Sequence, residues 1–352
     1  MNRIKWIDLT RVIAILTVIF CHCLDNIYHI MDPHNVYSLS ITSKIFVFTG
    51  YSIGRIGVPL FLLITGYLLL DRTYDSAKTK RFWSRNCKQL IICTISWCII
   101  YELFLIFFMK NDFNLISVIA DILLLRPIEI SHFWYMPMII GMYILIPFVA
   151  NSLKEFDKDI IIKPILFYLI ICSIIPFLLV ILKTFGIKGL SAQISIGFSG
   201  GIYGIYLITG YLIKKGLLNK IKSHILILAI VFCIIITVAF QIFEFNHKYT
   251  YILWYDIPFI FVISTCLFEL ISRIKNIPSY NLINFLSKFS FAVFLIHMIF
   301  RNILSDIFIK INIPAHFKVF LLWIILILIS YTVSYLIYKI PKFGKYILYI
   351  RD

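Results

Sequence analysis

The chain has 352 residues, of which 61% are hydrophobic and 14% charged, against ~25% charged in a typical soluble domain. A soluble globule of roughly 215 apolar residues would expose very large hydrophobic patches, whereas spans of ~20 residues use them in about ten crossings. A soluble enzyme, a DNA-binding protein and a disordered chain are thereby excluded. The net charge of +16 comes from basic residues scattered between apolar runs, so it reads as a positive-inside bias and not as a nucleic-acid surface.

The N-terminus, Met-Asn-Arg-Ile-Lys, leads into a first apolar run at 7–28 with no small-residue cleavage site, so it reads as an uncleaved span. Further runs fall at 45–70, 89–109, 132–150, 160–182, 194–213, 224–243, 252–272, 285–309 and 317–339. The stretch 113–125 is too short to span and carries Asp121, which predicts an interfacial or re-entrant helix. The segment Gly197 to Gly204 predicts close helix packing. With the N-terminus inside, the inner segments hold 22 of the 33 Lys and Arg, the outer segments 8, and the spans Arg11, Arg55 and Arg301. This bias predicts both termini in the cytoplasm and an even number of spans. The expected fold is an all-α integral membrane protein: about ten transmembrane helices in one bundle, a single domain over 1–352, and no separate soluble domain. The 8 cysteines lie in or beside apolar runs and form no C-x-x-C motif, so neither a disulfide framework nor a redox site is expected.

Ionisable groups inside spans are costly and therefore functional candidates. Arg11 and His22 are eleven residues apart. At 100° per residue they share one face of the first helix, about 16 Å apart, with Arg11 near the inner end and His22 in the outer half. Asp8, three residues before Arg11, partly neutralises it. Arg55 sits well inside the second span and needs a partner, with Glu102 of the third span and Asp25 of the first as the available acids. His132 opens the fourth span, and His297 reaches a depth in the ninth similar to that of His22. Three histidines are thus expected to converge in the outer half of the bundle. They come from separate spans without a clustered ligand motif, so no metal is expected. The loop 78–88 is the densest positive patch. Its functional reading, against ordinary topogenic charge, is a site for a phosphorylated cytosolic ligand at Arg81, Arg85 and Lys88.

Together these segments resemble the acyltransferase-3 family of bacterial integral-membrane acyltransferases over nearly the whole chain. The resemblance rests on WIDLTRVIAILTVIFCHC with Arg11 and His22, on RIGVPLFLLITGYLL from Arg55 to Leu69, and on HFWYMPMIIGMYILIP from His132 to Pro147. It extends to YLITGYLI from Tyr206 to Ile213 and SFAVFLIHMIF from Ser290 to Phe300. It implies a bacterial inner-membrane O-acyltransferase with acetyl-CoA as donor. The implied acceptor is a carbohydrate hydroxyl of O-antigen, capsule, exopolysaccharide or a lipid-linked oligosaccharide precursor. On this reading His22 is general base or acyl carrier, Arg55 or Arg11 stabilises charge, and His132, Glu102 and His297 orient His22 or the sugar. Arg11 lies too far from His22 to meet the oxyanion and is favoured for donor binding. Arg81, Arg85 and Lys88 attract the donor's phosphates. Two departures stand out. The family's R-x-x-R pair reads Arg85-Asn-Cys-Lys88, which keeps the charge but loses one guanidinium fork. The ninth-span glycine is Ala292. The competing expectations are a flippase or transporter of lipid-linked sugars, which needs a cationic cavity but no acyl-CoA site, and a small-molecule secondary transporter.

Overall fold

The computed structural model describes residues 3–126, 130, 132–187, 201–247, 253–341 and 343–350. Among them every regular element is helical, as a bilayer requires of a chain whose backbone groups must be satisfied within each segment. In order these are α1 (Lys5–Tyr28), α2 (Pro33–Tyr37), α3 (Ile41–Gly54), α4 (Gly57–Leu69) and α5 (Ser76–Phe82). A π-helical turn, Trp83–Cys87, joins α5 to α6 (Lys88–Phe107), followed by α7 (Leu115–Ile122), α8 (Tyr135–Ser152) and α9 (Lys158–Leu169). A second π turn leads to α10 (Ile175–Thr184), then α11 (Gly201–Lys214), α12 (Ser223–Asn246), α13 (Pro258–Ser272), α14 (Tyr280–Lys310), α15 (Ala315–Tyr338) and α16 (Phe343–Ile347).

Among the described residues, eight helical stretches are long and apolar enough to cross a membrane. They match eight of the ten expected runs. The expected sixth and eighth correspond to α11 and α13, with 14 and 15 residues, shorter than the ~20 a perpendicular crossing needs. The sixth run begins at 194, outside the described residues. The protein is an all-α, multi-pass membrane protein. Several short helices start where side chains satisfy free N–H groups: Asp32 accepts from His34, Asp75 from Lys78, and Asn114 from Ile116 and Ser117.

The expected inner segments meet at one end of the bundle. Asp71 bonds Lys214 at 3.0 Å and Lys215 at 2.6 Å. Asn151 and Tyr74 exchange hydrogen bonds of 3.0 and 2.5 Å, and Arg273 reaches Leu218 O at 2.9 Å and Ser223 at 3.0 Å. Both described chain ends lie here: Arg3 pairs with Asp8 at 2.7 Å, and Tyr349 bonds Asn86 O at 3.3 Å. Partial burial pushes the Asp71 carboxyl up, but the two lysines outweigh it and hold it below its ordinary value.

The tightest crossing joins α4 and α11. A Cβ added to Gly66 would lie 1.7 Å from Leu207 O, and one added to Gly210 would lie 2.1 Å from Leu63 O. Of the segment expected to pack closely, Gly197 to Gly200 lies outside the described residues. Small-residue packing is seen at the two Ile-Thr-Gly-Tyr-Leu segments, 64–68 and 208–212. The second expected span also differs from expectation. It breaks at Arg55-Ile56 into α3 and α4. Gly54 lies against the backbone of Cys21 on α1, where an added Cβ would come within 2.9 Å of the Cys21 Cα. Pro59 falls in the first turn of α4, where no N–H is needed.

Candidate functional site

The histidines of α1, α14 and the start of α8 converge. Ring centroids lie 5.3 Å apart for His22 and His297, 5.1 Å for His132 and His297, and 6.3 Å for His22 and His132. His297 and His132 are 0% and 2% exposed. Their proton positions follow from their partners. The Nδ1–H of His297 donates to Phe294 O at 2.8 Å, so its Nε2 carries a lone pair, and that atom has no partner. Tyr101 donates its hydroxyl hydrogen to Leu295 O, so it accepts from His132 Nε2 at 3.2 Å. His22 hydrogen-bonds to no described residue and is less buried than the other two. It is the histidine free to meet a ligand. Among the described residues no His, Cys, Asp or Glu group has metal-holding geometry.

His22 and His132 border a cavity of about 80 Å³, and His297 packs against both rings outside its lining. Because α1 and α14 run from the inner to the outer end, Val18 and Phe294 lie inward of His22 and His297. With Val58 and Tyr135 they form an apolar inner wall. Asp25 and the half-exposed Met31 line the outer side. On the orientation expected from the charge bias, the cavity therefore faces outward, with its floor toward the inner end. Trp134, Trp254 and Tyr255 form one flank, with centroids 5.6 Å between Trp134 and each of the other two.

Arg55 lines the same cavity and is 5% exposed. Neither expected acid is its partner. It donates to the hydroxyls of Tyr255, at 3.2 Å, and Tyr51. Its guanidinium carbon lies 4.4 Å from the Trp254 ring centroid and 4.6 Å from that of Tyr51. Aromatic faces and phenols thus hold this cation in place of a carboxylate, and its Nε has no partner. Asp25 pairs instead with Arg301 at 3.4 Å. Glu102 turns to α7, where it hydrogen-bonds Asp121. Arg126 forks onto the same Asp121 at 2.5 and 2.8 Å. Glu102 belongs to that acidic cluster and not to the histidine cavity.

Arg11 sits one half of α1 away. It joins a network around Asp8, which is 0% exposed and bonds Arg3, Arg11 at 3.1 Å, Tyr280 at 2.7 Å and Ser287 at 2.8 Å. Unbroken α1 keeps Arg11 and His22 on one face, as expected. Arg81, Arg85 and Lys88 are all exposed; Arg85 lies within the π turn and Arg81 and Lys88 flank it, a local rewinding frequent at functional sites. Lys88 also rims an apolar groove with Trp83, Ile91 and Ile144. Sequence reading missed Tyr101, Tyr51, Trp254 and Asp25 as site residues. Only the coincidence of Tyr101 with Glu102 in an apolar span marked that helix as unusual.

No curated protein and no solved structure matches the chain significantly. A family model described as an acyltransferase domain matches residues 4–339, nearly the whole bundle, and with the histidine cavity inside it the conclusion is that this chain belongs to the acyltransferase-3 family of membrane acyltransferases.

Proposed function

We propose that the protein transfers an acetyl group from cytosolic acetyl-CoA to a hydroxyl of a cell-envelope carbohydrate across a bacterial inner membrane. The observation that carries this is the cavity that His22 and His132 border together with Arg55, with His297 packed against both histidines. His22 removes the proton of the acceptor hydroxyl as its oxygen attacks the thioester carbonyl. Arg55, fixed by Tyr51, Tyr255 and Trp254, stabilises the resulting oxyanion. Collapse breaks the carbon–sulfur bond, and the histidine returns its proton to the departing CoA thiolate. His297 and His132, with tautomers set by Phe294 O and Tyr101, hold the ring of His22. At the inner end Arg11, Arg81, Arg85 and Lys88 attract the nucleotide phosphates.

The test is purified protein in detergent micelles with radiolabelled acetyl-CoA and lipid-linked oligosaccharide, wild type against His22→Ala. Acetyl transfer by wild type that vanishes in a folded His22→Ala protein supports the reading. Sugar binding without any acetyl-CoA consumption by wild type refutes it and leaves a lipid-linked-sugar flippase.

A further inference from the structure

A cavity of about 80 Å³ is roughly half the ~150 Å³ that admits a benzene molecule. A hexose ring therefore does not fit inside it. Only a reacting hydroxyl and its carbon reach His22, and whatever orients the rest of the acceptor must lie at the rim. The rim carries the right chemistry. Asp25 stands one turn outward of His22 on α1 and lines the cavity. Arg301 holds its Oδ2, and its Oδ1 bonds no described residue. Opposite stand Trp134 and Trp254, both only partly buried. A carboxylate that accepts from hydroxyls, beside aromatic surface for an apolar ring, is a combination suited to a polyhydroxylated ring.

From this geometry we infer that Asp25, Trp134 and Trp254 form the acceptor subsite, which binds a neutral pyranose from the outer face. The inference rests on the acyltransferase reading. Asp25 Oδ1 accepts from hydroxyls next to the one that reacts, and Trp134 packs on the ring's C–H surface. Arg301 is a positioning residue that fixes the carboxylate.

The test uses the full chain in micelles with acetyl-CoA and a panel of methyl pyranosides as acceptors. Variants are Asp25→Asn, Asp25→Glu, Trp134→Phe and Trp134→Ala. Loss of one charge-assisted hydrogen bond is expected to raise the acceptor KM by about tenfold to a hundredfold in Asp25→Asn. The KM for acetyl-CoA should stay within about twofold, as wild type does. Asp25→Glu, which keeps the pair with Arg301, should restore most of the loss. Trp134→Ala should raise acceptor KM more than Trp134→Phe, and this arm decides the matter if Asp25→Asn fails to fold. Unchanged acceptor KM in folded Asp25→Asn and Trp134→Ala overturns the subsite. So does equal transfer to glycerol and to the pyranosides, which removes the ring specificity. No acetyl-CoA consumption under any condition overturns the acyltransferase reading, and the subsite with it.

Discussion

Gly66 and Gly210 pack reciprocally: each faces the carbonyl three residues before the other, Gly66 on Leu207 and Gly210 on Leu63. Two identical pentapeptides thus meet through their glycines, and this contact sets the distance between α4, which begins beside Arg55, and α11.

Substituting either glycine should therefore be costly, because the obstacle is backbone that cannot rotate away. Gly66→Ala and Gly210→Ala are expected to destabilise by about 1–3 kcal/mol, toward the upper end for Gly66. Gly141→Ala on α8, where an added Cβ meets nothing within 4 Å, should be neutral or stabilise by up to ~1 kcal/mol. Thermal melting in one detergent checks all three. Equal melting temperatures for Gly66→Ala and Gly141→Ala would contradict the reciprocal contact.

Tyr101→Phe removes the acceptor of the His132 Nε2 proton and leaves a buried N–H unpaired, a cost of about 1–3 kcal/mol. The expected outcome is a fall in kcat of about ten- to a hundredfold with the acetyl-CoA KM little changed, because the hydroxyl acts through the histidine and not on the donor. A change confined to KM would place Tyr101 elsewhere in the mechanism.

Arg55→Lys keeps the charge but loses the planar surface that lies over Trp254 and Tyr51. Transfer should fall by at least about a hundredfold, comparable to the loss of an oxyanion donor. Arg55→Met should be as inactive yet no less stable than Arg55→Lys, since it buries no charge. Retention of activity in Arg55→Lys would show that charge alone suffices.

The spans were legible because an apolar run of bilayer length has few alternatives. The meeting of His22, His132 and His297 was legible because depth in a helix follows from counting residues. The partners of Arg55 were not. A search for opposite charge finds Asp25 and Glu102, whereas the cation is held by rings and phenols that look like ordinary apolar content in sequence. The break at Arg55-Ile56 was overlooked although Gly54, Gly57 and Pro59 flank it, because the apolar residues on either side add up to one run of bilayer length. Tyr101 was one aromatic residue in an apolar run until the fold brought His132 beside it.

At the inner end, Asp71 gives a pH dependence. Its carboxyl titrates lower in the folded chain than the ~3.9 of an unfolded one, because Lys215 and Lys214 bond its charged form. The sign follows: a depressed folded value contributes stability above the unfolded value, and that contribution is lost as pH falls through the folded one. Wild type should therefore lose a stabilising increment below about pH 4, and Asp71→Asn should show no such increment. The three side chains are partly exposed, so solvent screening keeps the effect small, within ~1 kcal/mol. Parallel melting curves for the two proteins from pH 7 to pH 3 would discount the pair.

The inner wall of Val18, Val58, Tyr135 and Phe294 has an electrical consequence. On the proposed reading, a polar mouth at Asp25 would bring the outer potential down toward His22, while the inner end of α1 would stay at the inner potential. Much of the transmembrane voltage would then drop over the stretch of α1 between Arg11 and His22. Moving one elementary charge through it does work of up to ~2.3 kcal/mol per 100 mV. A thiolate leaving inward through that stretch would feel the resting potential, whereas a thiol would not. The side on which the departing sulfur regains its proton thus determines whether turnover depends on the energised state of the membrane.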